Sequence, residues 1–142
     1  MSKAFTLLEL IIAVLLISII LSFAITKYDN IFKSSNMTKV KSDLALIQNG
    51  ISNIKRKNVL LSSNEKINTL DDAIALRDNE HLFSKVIDFP IVSTSSSQAG
   101  KWLKKTSDKY EFFLDANTKI KFILKDEFFE CKSPKEICQE LQ

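Results

Sequence analysis

From Ala4 to Ile25 the only polar side chains are Thr6, Glu9, Ser18 and Ser22, and one of these is an acid. Read as a helix, these roughly 22 residues extend about 33 Å, enough to match a ~30 Å hydrocarbon core. Lys3 and the starting amine precede the run, and Lys27 follows it. Positive-inside reasoning then expects a cytoplasmic N-terminus in the bacterial inner membrane, with everything past about residue 27 periplasmic. Glu9 complicates this reading, because an ionisable group inside a spanning helix costs roughly 2.5–3.5 kcal/mol. A secretory signal peptide has a small-x-small pattern available in Ser22-Phe23-Ala24, but its apolar core is normally shorter and free of acids. An ordinary single-pass anchor tolerates Glu9 and gives it no task. A buried soluble helix fits poorly with the length and uniform apolarity of the run.

The residues around the acid supply a further reading. "MSKA" is followed by Phe5-Thr6-Leu7-Leu8-Glu9-Leu10. This resembles the N-terminus of type IV pilins and of the pseudopilins of type II secretion and DNA-uptake (competence, natural transformation) systems. Their signature is a short basic leader ending in a small residue, then Phe-Thr-Leu-x-Glu opening a long apolar helix. The resemblance implies cleavage between Ala4 and Phe5 by a prepilin peptidase, with N-methylation of the new amine at Phe5. The family usually places Gly before the cut, and here it is Ala4. Glu9, fifth in the implied mature chain, takes the position of the family's assembly glutamate, which pairs with the terminal amine of a neighbouring subunit. The physical basis is that a lone carboxylate and a lone ammonium are each costly in a low dielectric, and pairing offsets both. A position in the first helical turn also favours an anion.

The resemblance further implies a structural, non-enzymatic pseudopilin subunit of a periplasm-spanning filament. Its implied partners are other pseudopilin subunits, the prepilin peptidase, the inner-membrane platform protein, the assembly ATPase and the lipid bilayer. Two alternatives remain: a minor pilin of a surface pilus, or a periplasmic binding module on a membrane anchor.

Past the apolar run, Met37, Val40, Leu44, Ile47, Ile51 and Ile54 recur at spacings of 3, 4, 3, 4 and 3. That is one apolar stripe on an amphipathic helix. No Pro interrupts residues 5 to 57, so a single helix of about 53 residues, roughly 80 Å, is expected. Gly50 within it marks a bend or a close contact. Residues 58–100 read as a connector with short helices at 70–78, capped by Thr69, and at 79–87. Beyond it the period becomes two. Tyr110, Phe112 and Leu114 alternate with Glu111 and Phe113, and Ile120, Phe122 and Leu124 alternate with lysines and Ile123. Turn-forming Asp115-Ala116-Asn117 lies between, so an antiparallel hairpin is expected, with added short strands at 101–105 and 127–131.

The division expected is therefore a prepilin leader (1–4), a transmembrane or filament-core helix (5–26), an amphipathic periplasmic helix (27–57), a connector (58–100), and strands with a closed tail (101–142). The fold class is α+β and pilin-like, with one long N-terminal helix packed on a small C-terminal antiparallel sheet.

The two cysteines, Cys131 and Cys138, have no second pair and no nearby histidine, which argues against zinc. In an oxidising compartment a Cys131–Cys138 disulfide is expected, worth roughly 2.5 kcal/mol on the chain-entropy model. Two free buried thiols are the alternative. There is no phosphate-binding loop, dinucleotide fingerprint, nucleophile elbow or HExxH, so no catalytic residue, metal site or cofactor is expected. "DANTK" (115–119) lacks the glycine and distal glutamate of an EF-hand and reads as a turn. His81, the one histidine, is expected in a surface or capping role. Net charge is only +3. Lys101, Lys104, Lys105 and Lys109 flank Trp102 and Tyr110. That stretch is expected to be a solvated face over core aromatics, with DNA contact as the alternative.

Overall fold

The computed structural model describes residues 6–63 and 65–141, with the side chains of 24–30 excepted. Ala4 and Phe5, the expected processing site, lie outside the described residues, as does the leader before them. The architecture is α+β: a long N-terminal helix, a two-stranded and a four-stranded antiparallel sheet, and a short C-terminal helix. The chain divides into two compact units, residues 1–34 and 35–142.

In the first unit, helix α1 (Leu7–Leu60) begins. Thr6 starts it, its Oγ1 accepting the Glu9 N–H at 3.3 Å and its carbonyl accepting the Leu10 N–H at 3.2 Å. Thr6-Leu7-Leu8-Glu9 thus has the order of a capping box, with the acid three residues past the cap. Ser18 and Ser22 turn their hydroxyls back onto the carbonyls of Val14 (2.7 Å) and Ser18 (2.9 Å). Their polar groups are satisfied within the helix, so they interrupt the apolar surface little.

Among the described residues no helix is long and apolar enough to cross a membrane. This corrects the single-pass inner-membrane placement and the cytoplasmic and periplasmic assignments that depended on it. The apolar stretch whose side chains are described runs over residues 7–23, about 26 Å of helix against a ~30 Å core, and it carries Glu9 in its first turn.

In the second unit, α1 contributes the stripe read from the sequence. Val40, Leu44, Ile47 and Ile51 are buried, with Met37 and Ile54 packed at the margins. Gly50 marks a close approach rather than a bend: a Cβ there would lie 1.9 Å from the Val86 carbonyl oxygen and 2.7 Å from its carbon. Because the obstruction is backbone, a rotamer change cannot relieve it. Gly50→Ala should therefore destabilise by at least about 2 kcal/mol, although Ala is the better helix former by about 1 kcal/mol. Denaturant titration against the exposed control Asn49→Ala checks this.

The connector contains no helix among the described residues, contrary to the expectation for 70–78 and 79–87. Thr69 does not cap a helix. Its Oγ1 takes the Asp71 N–H at 3.2 Å, two residues on, forming a turn. Asp71 then takes the N–H groups of Ala73 (3.1 Å) and Phe83 (2.9 Å) with its own carboxylate, drawing both donors away from a helical ladder. Leu76, Asn79 and Phe83 have φ of 61°, 59° and 60°, left-handed values that end any helical run. In place of the second helix, β1 (His81–Leu82) pairs antiparallel with β2 (Ile91–Val92).

The larger sheet has the order β3 (Trp102–Lys104), β4 (Lys109–Phe113), β5 (Lys119–Lys125), β6 (Phe128–Cys131), all antiparallel. The β4–β5 connection is the expected turn, with the Asp115 carboxylate accepting the N–H groups of Asn117 (2.8 Å) and Thr118 (2.6 Å). The β5–β6 hairpin closes through Asp126 and Glu127, both left-handed at φ 49° and 64°, the signature of a type I′ turn. Trp102, Phe112, Ile120, Tyr110, Phe122, Leu124 and Phe129 are all buried, and pairing Trp102 with Phe112, Phe112 with Ile120, Tyr110 with Phe122 and Leu124 with Phe129 puts them on one face. With the α1 stripe they form one core. The Trp102 indole N–H reaches Asp43 on α1 at 2.8 Å, fixing helix to sheet. Helix α2 (Lys135–Glu140) follows β6, and a Cys131–Cys138 disulfide ties it back.

Candidate functional site

Glu9 lies in the first turn of α1, where the unpaired N–H groups and the helix dipole favour its carboxylate. Around and beyond it every large apolar side chain described is exposed. Leu7 is 79 % accessible, Ile20 66 % and Phe23 72 %. Leu7, Leu8, Ile11, Leu16, Ile17 and Ile20, all exposed, together cover all sides of a helix with 100° between residues. A helix apolar all round belongs in a buried environment. The first unit thus offers Glu9 at the head of an exposed apolar helix.

The second unit contains a buried polar cluster that the sequence reading missed. Asp71 is 1 % exposed and Lys104 5 %. Lys104 Nζ contacts Asp71 Oδ1 at 2.5 Å and also donates to the Ala73 carbonyl at 2.9 Å. The Tyr110 hydroxyl donates to Asp71 Oδ2 at 2.9 Å. Burial, and then the neighbouring Asp71 charge, push the Tyr110 phenol far above its usual value near 10. With the Ala73 and Phe83 amides added, every lone-pair direction of Asp71 has a donor. The cluster pins the connector to β3 and β4. It presents no nucleophile to solvent.

The lysines flanking Trp102 and Tyr110 do not form the basic-aromatic patch weighed from the sequence. Trp102 and Tyr110 are fully buried, and Lys104 points inward to Asp71. His81 is exposed at the start of β1. Asp115 is occupied with turn amides, and among the described residues no cluster of three His, Cys, Asp or Glu could hold a metal. A cleft of about 850 Å³ lies between α1 and β6. Two of its polar side chains are engaged: Lys55 bridges Glu127 at 3.8 Å, and Ser52 bonds the Gln48 carbonyl at 2.8 Å.

Glu9 belongs to the first unit and Cys131 and Cys138 to the second. No protein-family model, no curated protein and no solved structure matches this chain.

Proposed function

We propose that this chain is a structural subunit of a pilin-like filament, of the kind that works in type II secretion or DNA uptake. The observation that carries the reading is the exposed apolar helical surface of residues 7–23 with a single acid, Glu9, in its first turn. Such a surface must be covered, and further copies of itself cover it without a second gene product. A repeated head-to-tail contact whose rotation does not close on itself builds an open helical array. Once the helices bundle, Glu9 enters a low-dielectric environment and needs a counter-charge. Cleavage before Phe5 creates one, an ammonium at the terminus of the next copy. The resemblance of Phe5-Thr6-Leu7-Leu8-Glu9 to the processed pilin start supports the same arrangement, as does the long-helix-plus-antiparallel-sheet architecture.

Processing tests the reading most directly. Intact-mass analysis of the protein isolated from its own cells should give a chain beginning at N-methylated Phe5, and chemical crosslinking should give a ladder of oligomers. A chain beginning at Ile25 has lost the apolar helix and overturns the proposal. So does a processed chain that remains monomeric at high concentration.

A further inference from the structure

We propose that the outer face of the four-stranded sheet is a phosphate-contacting surface for double-stranded DNA, independent of base sequence. The strand register sorts the lysines of this half into two groups. Trp102, Lys104, Tyr110, Phe112, Ile120, Phe122 and Leu124 face the core, so their neighbours face outward. Pairing places Leu103, Glu111 and Lys121 in one outward row, and Lys109, Ile123 and Glu130 in the next. Backbone bonds from Lys105 to Lys109, from Phe113 to Lys101 and from Lys132 to Lys121 extend these rows across the sheet. Lys101, Lys105, Lys109, Lys119, Lys121, Lys125 and Lys132 are all exposed.

The outer face therefore holds seven lysines against two glutamates, a balance of five positive charges where the whole chain has only +3. The rest of the chain is net acidic, so the charge is segregated onto this surface and not spread evenly. The two acids are engaged by two of the lysines. Glu111 pairs with Lys119 at 3.0 Å and Glu130 with Lys132 at 2.8 Å. Lys132, and more weakly Lys125, hold the Glu130 carboxyl below its usual range. Lys101, Lys105, Lys109 and Lys121 have no ion pair among the described residues, and Lys125 adds a fifth cation beside them.

The geometry favours a nucleic-acid backbone over other polyanions. Lysines on one strand repeat every about 6.8 Å and neighbouring strands lie about 4.8 Å apart, so the cations form a grid on the scale of phosphate spacing along a strand of DNA. A membrane surface would call for apolar anchors beside the cations. Here Leu103 and Phe113 are buried and Ile123 is half-buried, and the exposed apolar side chain of this face, Phe128 opposite Lys125, sits at the sheet edge with Lys55 Nζ 4.0 Å from its ring centroid. Base stacking would need free aromatic faces; the central rows have no exposed ring and Phe128 at the edge already carries Lys55 over its ring, so the contact is to the backbone of a duplex. The inference concerns residues 35–142 alone and does not depend on the filament reading.

The test uses the full chain in non-ionic detergent, titrated into a labelled mixed-sequence duplex of about 30 base pairs. With about five phosphates neutralised, log affinity should fall against log salt with a slope of about −4.5. Lys109→Glu with Lys121→Glu should reduce that slope by about two and weaken binding at least about tenfold at low salt. Lys57→Glu with Lys66→Glu changes net charge equally off this face and should change binding far less. If both double variants weaken binding alike, or if the wild-type chain does not bind the duplex, the proposal fails. A third arm uses phosphatidylserine–phosphatidylcholine vesicles. Vesicle binding that depends on Lys109 and Lys121, with duplex binding that does not, would reassign the face to a membrane. If the glutamate pair disturbs folding by circular dichroism, Lys105→Ala with Lys125→Ala gives the same comparison.

Discussion

Asp71→Ala should cost about 3–5 kcal/mol of stability, because it leaves the Lys104 ammonium buried without its counter-charge. Three other donors constrain the outcome. The Ala73 and Phe83 amides and the Tyr110 hydroxyl lose their acceptor at the same time. Lys104→Met should be milder, since the carboxylate retains three donors. Denaturant unfolding followed by fluorescence reads both, because the only tryptophan, Trp102, sits in this core. If the pair exists mainly to position the connector, Asp71→Leu with Lys104→Met should recover part of the loss but leave residues 69–83 poorly protected in hydrogen exchange. The same cluster fixes an alkaline limit. The Tyr110 phenol is held protonated in the fold well above pH 10, so above that pH only the unfolded chain releases this proton. Its contribution is therefore complete below about pH 10 and declines above it by up to about 1.4 kcal/mol per unit. Tyr110→Phe should remove that part of the slope while weakening the fold at neutral pH. An alkaline limb identical in wild type and Tyr110→Phe would show that the phenol is not linked to folding.

The sequence made the helix and the sheet visible for the same reason: each has a period that burial enforces over many residues. Met37 to Ile54 keep a 3–4 spacing, and residues 110–114 and 120–124 alternate, because one face of each meets the core. The connector has no such repeat. Its shape depends on Asp71, whose carboxylate gathers groups from residues 73, 83, 104 and 110. Local propensity suggested a helix for "LDDAIALRD", but an acid bonded to partners up to 39 residues away overrode it. One signal was available. Alternation through Trp102-Leu103-Lys104 turns Lys104 inward with Trp102, and an inward lysine requires a buried acid. The same alternation dismantles the basic-aromatic patch read from adjacent residues, since neighbours along a strand face opposite ways. The outer lysine face, by contrast, is assembled from β4, β5 and the residues flanking β3 and β6, and only the register reveals it.

Glu9 separates two physical explanations of the same residue, and its variants should separate them sharply. As the third residue after Thr6 it fits a capping box, a local role worth about 1 kcal/mol to the helix start. As the counter-charge to a neighbouring terminal amine it decides whether copies can bury their apolar helices together. Glu9→Gln distinguishes these, because glutamine serves the capping box as well as glutamate but carries no charge. On the proposed function, Glu9→Gln and Glu9→Ala should both retain cleavage at Ala4–Phe5, the scissile bond being untouched, and both should lose inter-subunit crosslinking by at least about tenfold. That loss corresponds to about 1.4 kcal/mol per contact, well within the cost of leaving a buried ammonium unpaired. Glu9→Asp should be intermediate, its shorter side chain keeping the charge but reaching the amine poorly. A local cap predicts a different order. Glu9→Gln would then assemble like wild type, Glu9→Asp would be nearly neutral, and only Glu9→Ala would show a small loss. That second pattern, read from crosslinking of matched amounts of processed protein, would remove Glu9 from the assembly contact and leave the exposed apolar helix to associate without register.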